Sequence, residues 1–268
     1  MNVAIIGSGA YADVRAHALA GLPGVTFMGV LNGDPLQAFP EQVDAAFVTA
    51  PTAEHFRLAE ALMKQGVHVF LEWPPATSVR ECQAIIELSE EAGVEVGVSR
   101  PLRFHPVLAT LPPGWHASLI VLHREIPAAQ EAAWPRWLAD ATDLCCALAQ
   151  RSSVQRIDAE SVRSADAWPT AAAFGIRFHS GTYAQVSIRR TSHMEGSALF
   201  AAGGDTHIDT DLVENAAAAK AYVSTAALIE AETSAFLRAV MDQHPVPVSI
   251  LDGLHTLRLV ERLMEKLR

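Results

Sequence analysis

Cysteine and basic charge are both scarce in this sequence, and each scarcity disfavours a class of protein. The three cysteines make no disulfide framework, and Cys145 and Cys146 are adjacent, so they cannot pair with each other without backbone strain. A reducing, cytoplasmic compartment is therefore expected. The formal net charge of −10 argues against a nucleic-acid partner, because phosphate backbones are bound by a basic face.

Membrane and metal signals are missing as well. No apolar run approaches the length of a bilayer span, and no basic leader precedes an apolar segment, so neither a membrane partner nor secretion is expected. The 11 histidines are scattered without zinc spacing, so no metal site is expected. Apolar residues, in contrast, make up 50% of the chain, which is enough for a sizeable core in one or two domains.

The first dozen residues carry the most informative pattern. A short apolar run, Val3–Ile6, is cut by a glycine turn and followed by a helical pattern. In such a turn Gly7 supplies unusual backbone angles, Gly9 lets a pyrophosphate approach the backbone, and the small Ala12 lets helix and strand pack closely. The turn predicts a dinucleotide site in which the helix N–H groups face the anion. Its candidate cofactor-binding residues are Gly7, Ser8, Gly9, Ala10, Tyr11 and Ala12.

Strands and helices alternate through the first hundred residues, which predicts a doubly wound parallel sheet of the Rossmann type in a domain of residues 1–100. Predicted strands cover 3–6, 25–31, 45–49, 67–71 and 93–99, and predicted helices cover 13–22, 53–65 and 78–92. Arg15 is interpreted as a surface arginine on the first helix.

The pattern changes after residue 100. Longer, partly alternating strands at 118–125, 172–179 and 182–190 predict an open, largely antiparallel sheet, and helices are expected at 215–220, 226–243 and 253–267. The overall prediction is an α/β protein whose second domain, residues 101–268, is α+β. The terminal helix is free to pack back on the first domain. We interpret the tryptophans at 134 and 137 as core or loop packing.

The carboxyl ends of the predicted parallel strands supply further candidate cofactor contacts, since ligands bind at that edge of such sheets. These candidates are Asn32, Ala50, Pro51, Thr52, His55 and Glu72. The neutral Asn32 removes repulsion against the 2′-phosphate of NADP, whereas Asp34 still favours the ribose of NAD. We therefore expect NADP or NAD as the cofactor, with a slight preference for NADP.

Two segments of the first half carry a family resemblance. Residues 45–55 (AAFVTAPTAEH) and 66–74 (GVHVFLEWP) resemble the glucose–fructose oxidoreductase/inositol dehydrogenase family, Gfo/Idh/MocA, and residues 236–254 are similar to its closing segment. The resemblance is dense over 1–106, thin from 107 to 225 and moderate thereafter. It implies NAD- or NADP-dependent oxidation or reduction of sugars, cyclitols and related carbonyl compounds. It also implies a homodimer or higher homo-oligomer formed through the open sheet.

The departures from the family concern its catalytic residues. The family's Glu-Lys-Pro is Glu72-Trp73-Pro74 here, and an indole cannot serve as an acid or base. The family's His, followed three residues later by Asp, aligns with Asp140 and Asp143, which makes Asp140 the candidate proton carrier. The competing interpretation makes these two aspartates a helix start on a solvated face. Arg103 and His105 are the candidate substrate contacts, and for Arg103 the competitor is a salt bridge at the domain hinge.

Three hypotheses about function follow. The first is an NAD(P)-dependent oxidoreductase acting on a small sugar- or cyclitol-like carbonyl or hydroxyl compound, with Glu72, Trp73 and Asp140 at its catalytic centre. The second is a non-catalytic relative that binds a dinucleotide or sugar and acts through a partner. The third follows from a resemblance to the biliverdin reductase branch, which also carries an aromatic residue in the lysine's place, and implies reduction of a conjugated substrate.

Overall fold

The computed structural model describes residues 1–31, 43–127, 134–163, 169–191, 196–213 and 224–267. The chain divides into two compact units, Met1–Pro101 with Ala226–Leu257, and Leu102–Thr225 with Arg258–Arg268. The sequence analysis assigned 101–268 to one domain, whereas the structure counts residues 226–257 with the first unit. The reason is the apolar packing described below. The predicted helix at 215–220 and the segment 32–42, which contains Asn32 and Asp34, lie outside the described residues.

The elements alternate in the first unit and are mostly strands in the second. In chain order they are β1 (Asn2–Gly7), α1 (Ala10–Ala20), β2 (Thr26–Leu31), β3 (Ala45–Thr49), α2 (Thr52–Met63), β4 (His68–Leu71), α3 (Val79–Ala92), β5 (Val96–Val98), β6 (Leu119–Pro127), α4 (Trp134–Leu148), β7 (Val154–Arg163), β8 (Pro169–Phe178), β9 (Tyr183–Thr191), β10 (Gly196–Gly203), β11 (Thr206–Val213), α5 (Thr225–Met241) and α6 (Ile250–Lys266). Two short 3-10 turns, Pro101–Phe104 and Pro106–Thr110, follow β5.

The first unit is built on a parallel sheet with the strand order β2-β1-β3-β4-β5. The first four residues of β3 are fully buried, as expected for a parallel strand covered on both faces. Helix α3 begins at the cap Ser78, whose hydroxyl accepts from the Glu81 N–H, and ends at Gly93 in the left-handed region. The Rossmann-type sheet predicted from the sequence is confirmed.

Helix α5 packs on this sheet through an aromatic cluster. The ring of Phe236 lies 5.1 Å from that of Phe70 and 5.6 Å from that of Phe47, and both pairs have edge-type geometry. A Cβ at Gly97 would come within 2.8 Å of both Phe236 and Phe70, so the close approach of α5 to the sheet requires a glycine there. This apolar packing explains why the structure counts α5 with the first unit.

The second unit contains a six-stranded sheet with the order β11-β10-β6-β9-β8-β7. The pairing of β6 with β9 is parallel and the other four pairings are antiparallel. This confirms the largely antiparallel second sheet. The sequence analysis missed β7, β10 and β11, which carry the polar and small residues of half-exposed or edge strands.

Two findings concern the described residues alone. None of their helices combines the length and apolar character that crossing a bilayer requires. Their His, Cys, Asp and Glu side chains form no group of three or more that could hold a metal ion.

Candidate functional site

The glycine turn after β1 has the geometry that a pyrophosphate cradle requires. Gly7 and Gly9 have φ values of 113° and 108°, which L-residues rarely adopt. A Cβ at Gly7 would come within 2.5 Å of the Ala50 nitrogen, whereas a Cβ at Gly9 would meet nothing within 4 Å. Gly9 is the N-cap of α1, and no side chain caps that helix. The turn therefore fits the phosphates of a dinucleotide, since Gly9 leaves open space beside it and the first N–H groups of α1 have no side-chain cap.

The strand order places this turn at the point where ligands bind to doubly wound sheets. β1 is flanked by β2 on one side and β3 on the other, so the connections diverge between β1 and β3. Gly7 pairs in register with Thr49, whose hydroxyl donates to the Ile6 carbonyl at 3.2 Å. The segment Ala50–Thr52, predicted to contact the cofactor, lies directly after that register position. Its three residues are half-buried or exposed, whereas most of β3 is buried.

His55 joins two of the loops at this sheet edge. Its Nε2 lies 2.8 Å from the Ala50 carbonyl oxygen and its Nδ1 lies 2.9 Å from the Pro74 carbonyl oxygen. Burial lowers the pKa of His55, although both of these contacts and the nearby Glu72 favour the protonated ring. The ring therefore fixes the loop after β3 against the loop after β4, and direct cofactor contact by His55 stays a prediction. Asn32 lies outside the described residues.

Glu72, at the end of β4, belongs to a buried charge cluster that the sequence analysis did not foresee. Arg15 of α1 is fully buried; its Nε donates to Glu72 at 2.7 Å and its Nη2 donates to Glu232 at 2.9 Å. Further donors of Arg15 reach the hydroxyls of Thr233 at 2.8 Å and Ser99 at 3.2 Å. The interpretation of Arg15 as a surface arginine is wrong, because its guanidinium is enclosed by these partners and lies over the rings of Phe47 and Phe70.

The titration of this cluster follows from its burial and its charges. Burial raises the pKa of Glu232 to about 7; Arg15 opposes that rise and the charge of Glu72 adds to it. Burial alone would lower the pKa of Arg15, but the carboxylates of Glu72 and Glu232 outweigh it and the pKa rises. The arginine therefore stays charged, and Glu232 changes its protonation state near neutral pH.

Trp73, in the position of the family's lysine, is half-buried and has a cation against its ring. The guanidinium carbon of Arg100 lies 3.6 Å from the ring centroid, and the Nη1 of Arg100 donates to the Ser99 carbonyl at 2.9 Å. A guanidinium remains protonated at any working pH, so this pair supplies positive charge but no acid or base.

Asp140 lies within α4 of the second unit, six residues after the helix begins. Its carboxylate is 3.6 Å from Nη1 of Arg124, which is buried and stacks on the ring of Trp137 at 4.4 Å. Trp137 is buried, as the core-packing interpretation of the tryptophans expected. The interpretation of Asp140 and Asp143 as a helix start on a solvated face is wrong, because α4 begins at Trp134 and Asp143 is 2% exposed.

The two candidate substrate contacts make local interactions within the second unit. Arg103 forms a bidentate pair with Asp143, with two hydrogen bonds of 2.7 Å from Nε and Nη2. His105 accepts from the Val107 N–H through Nδ1 at 3.3 Å, and burial lowers its pKa. The Nε2 of His105 is buried and meets no hydrogen-bond partner among the described residues. Substrate contact by either residue stays a prediction.

A sequence signal existed for the residues that were missed. Arg15 lies on the buried face of α1 with Ala12 and Leu19, and Glu232 lies on the buried stripe of α5 between Ile229 and Phe236. A charged residue at helical spacing within an apolar stripe points inward, where it needs a partner. Two such residues of opposite charge are candidates for pairing with each other.

A family model matches part of the first half of the chain, and curated relatives match short stretches of it. Residues 32–100 match the model described as "Oxidoreductase family, NAD-binding Rossmann fold" (GFO_IDH_MocA). UDP-N-acetylglucosamine 3-dehydrogenase of Acidithiobacillus ferrooxidans is 32% identical over 81 residues, covering 28% of this chain and 26% of that protein. The chain spans 26% to 40% of the length of the first curated relatives that it matches.

Two solved structures are similar over the whole chain. The UDP-N-acetylglucosamine 3-dehydrogenase GnnA from Acidithiobacillus ferrooxidans has a TM-score of 0.85 at 20% identity, covering 100% of this chain and 97% of that chain. A scyllo-inositol dehydrogenase from Lactobacillus casei with bound NAD(H) and scyllo-inositol has a TM-score of 0.79 at 14% identity, covering 100% and 96%. At these identities the likeness shows the fold. Residues 32–100 thus match the Gfo/Idh/MocA oxidoreductase family, which confirms the resemblance found in the sequence.

Proposed function

We propose that this chain is an NAD(P)-dependent oxidoreductase that transfers hydride to or from a small carbonyl or hydroxyl compound of the sugar or cyclitol type. The observation that carries the proposal is the glycine turn at the divergence of β1 and β3, with open space at Gly9 and an uncapped α1. The family match over residues 32–100 supports it. So do the activities of its relatives, which include a UDP-N-acetylglucosamine 3-dehydrogenase and a myo-inositol dehydrogenase.

The nicotinamide cofactor, when bound, supplies the hydride chemistry, and the residues of this chain bind and orient. The turn Gly7–Ala12 and the segment Ala50–Thr52 would hold the dinucleotide. Glu72, fixed by Arg15, would orient a donor group beside the reacting centre. Trp73, with its ring covered by Arg100, would present an apolar wall that excludes water.

Proton transfer needs a group other than Trp73. Asp140 is the proposed carrier, because its carboxylate is partly exposed and lies 3.6 Å from Nη1 of Arg124. His105 is the alternative, since burial favours its neutral ring. Once a substrate is found, each residue is tested by substitution to an uncharged residue. Loss of the proton carrier should lower kcat and remove one limb of the pH profile of kcat.

A fluorescence titration with NADH and with NADPH tests the cofactor site. Nicotinamide emission excited through the tryptophans should saturate, and comparing the two ligands tests the slight preference for NADP. The Gly9→Ala variant should weaken binding at least tenfold, because the added methyl group occupies the open side of the turn.

The matched control is Gly66→Ala, at a glycine that also has positive φ and open surroundings but lies just before β4, at the opposite edge of the sheet. This variant also places a methyl group at a positive φ but does not touch the turn, so its affinity should equal that of the unmodified protein. Equal weakening by both variants, or no saturable binding of either nucleotide, would contradict the proposal.

The second candidate function is a non-catalytic relative that binds a dinucleotide or sugar and acts through a partner. It is favoured by Trp73, which has no titratable group, and by Asp143, whose carboxylate is occupied by Arg103. Under this hypothesis the protein binds NADH or NADPH but turns over no aldose, cyclitol or bilin. A Trp73→Lys variant that gains polyol oxidation would instead support recent divergence from a sugar dehydrogenase, whereas turnover of a bilin by the unmodified protein would support the biliverdin reductase-like hypothesis.

A further inference from the structure

The buried cluster around Arg15 contains more acid than base. One guanidinium serves two carboxylates, those of Glu72 and Glu232, and the side chains of Arg15 and Glu232 are almost completely buried. Glu232 accepts three hydrogen bonds, from Arg15, from the Ser99 hydroxyl and from the Arg100 backbone N–H. Both of its oxygens are therefore satisfied, and its position is fixed by two other segments of the chain.

The cluster joins segments that are distant in sequence. Arg15 comes from α1, Glu72 from the end of β4, Ser99 from the end of β5, and Glu232 with Thr233 from α5. Arg15 donates to Glu72 through Nε and to Glu232 through Nη2, so two nitrogens of one rigid guanidinium bind the two carboxylates. Arg15 is therefore the shared partner that connects Glu232 to Glu72.

We propose that Glu232 is a positioning residue for Glu72 that acts through Arg15, and that its protonation sets the charge which this cluster presents to the nicotinamide ring. With Glu232 protonated, Arg15 and Glu72 balance and the cluster is neutral. With Glu232 ionised, the cluster carries one negative charge in excess. This inference rests on the proposed function, because it places the nicotinamide beside Glu72.

The consequence is a pH-dependent preference between the two oxidation states of the cofactor. The oxidised nicotinamide ring is positively charged and the reduced ring is neutral, so extra negative charge favours the oxidised form. The groups facing Glu232 are Arg15 of α1, Glu72 after β4, Ser99 and the Arg100 backbone after β5, and Thr233 of its own helix. Burial raises the pKa of Glu232 to about 7, which places the change within the range in which binding is measured.

The test is the ratio of the dissociation constants of NADH and NAD⁺, measured at pH 6 and at pH 8.5. In the unmodified protein the ratio should move roughly three- to tenfold in favour of NAD⁺ as the pH rises. The Glu232→Gln variant keeps the shape and removes the charge, so its ratio should not change with pH. The matched control is Glu230→Gln on the same helix, at a half-buried glutamate outside the cluster, which should behave as the unmodified protein does.

A second measurement needs no variant. Because NAD⁺ favours ionised Glu232, its binding at pH 7 should release roughly 0.2–0.4 proton per site, and NADH binding should release less. Calorimetry in two buffers of different ionisation enthalpy gives this number. Equal proton release by the two nucleotides, or a Glu232→Gln ratio that follows the pH as before, overturns the inference. Failure to bind either nucleotide in the first place overturns the proposed function, so the two failures are distinguishable.

Discussion

Each of the two units contains an arginine that pairs with carboxylates, and the two arrangements differ in their ratio of charges. In the second unit Arg103, which is partly buried, forms two hydrogen bonds of 2.7 Å with the one carboxylate of Asp143. In the first unit the fully buried Arg15 divides its donors between Glu72 and Glu232. One guanidinium faces one carboxylate in the balanced pair of Arg103 and Asp143. One guanidinium faces two carboxylates in the Arg15 cluster.

The difference separates a structural role from a functional one. The bidentate pair of Arg103 and Asp143 holds the segment after β5 against α4. An excess carboxylate in a buried site is forced to hold its proton to higher pH. Groups of that kind are enriched at functional sites, although buried structural networks also contain them. The Arg15 cluster lies beside the predicted nicotinamide position, which favours the functional role.

Removing one partner of the balanced pair of Arg103 and Asp143 should have the largest effect on the free energy of unfolding. Asp143→Asn leaves the Arg103 guanidinium buried without its counter-charge, and we expect a loss of about 3–5 kcal/mol of unfolding free energy in urea denaturation. The control is Asp158→Asn, which breaks the solvent-exposed pair with Arg156 and should cost less than about 1 kcal/mol. Similar losses in both variants would show that the Arg103 pair contributes no more than a surface pair.

The Arg15 cluster should make the free energy of unfolding depend on pH in the opposite sense to that of a carboxylate with its own cationic partner. Burial raises the pKa of Glu232 to about 7, so the folded state binds the proton more tightly than the unfolded state does. The resulting stability is fully present below the ordinary carboxyl pKa and is lost as the pH rises through 7. Between pH 5 and pH 8 we expect the unmodified protein to lose about 2–3 kcal/mol relative to Glu232→Gln.

Urea midpoints of the two proteins at pH 5, 6, 7 and 8 measure this difference. The contributions of all other titrating groups to the free energy of unfolding cancel in this comparison, because both proteins contain these groups. A constant difference between the two proteins over this range would contradict the assignment of the excess charge to Glu232.

The strands and helices of the first unit could largely be predicted from the sequence, whereas the charge balance of the Arg15 cluster could not. Both ends of β3 were predicted correctly, because the run of apolar or small residues begins directly after the charged Asp44 and ends before the Ala50-Pro51 break. Helix α1 was predicted to begin at residue 13 but begins at Ala10, directly at the glycine turn. The partners of Arg15 lie 57, 84, 217 and 218 positions away, and no local pattern specifies contacts of that range.

The second unit was harder to predict for a related reason. Its strand β7 is mostly exposed and carries charged residues such as Arg156, Asp158 and Glu160, so the alternation that identifies a half-buried strand is weak. The sequence analysis set no bounds for α4, and the environments of its Asp140 and Asp143 depend on Arg124 and Arg103, which come from outside that helix. The candidate residues were thus found from the sequence, and their partners required the structure.

The arginine–tryptophan stack in the first unit allows a smaller effect to be measured. Arg100 lies 3.6 Å from the Trp73 ring centroid, closer than Arg124 lies to Trp137 at 4.4 Å. Replacing Trp73 with Leu removes the π face beneath a buried cation and should cost about 1–2 kcal/mol beyond the lost apolar contact. Trp73→Phe keeps a weaker π face and should cost less. Urea denaturation at pH 7 gives both values, and a phenylalanine variant no more stable than the leucine variant would argue against a cation–π contribution.

The smallest effect on the stability of the folded chain concerns the open face of the second sheet. Leu119 and Tyr183 are register partners on this face and Val121 follows two residues later, and the three side chains are 37–39% exposed. An exposed apolar face on an otherwise acidic protein favours association, and the family resemblance implies a homodimer through this sheet. Val121→Glu should change the unfolding free energy by less than about 0.5 kcal/mol, yet it should dissociate the oligomer, because it buries a charge in the interface.

Sedimentation velocity at micromolar concentration distinguishes the outcomes for this last change. The control is Val30→Glu in the first unit, at a valine on β2 that is 40% exposed, close to the 37% of Val121. If the open sheet is the interface, Val121→Glu sediments as a monomer, and the Val30→Glu variant sediments with the unmodified protein. If the unmodified protein sediments as a monomer, this face remains exposed to water and is not an oligomer interface. Dissociation by both variants would point to the acidic net charge of the chain as the cause, because added negative charge repels at any surface.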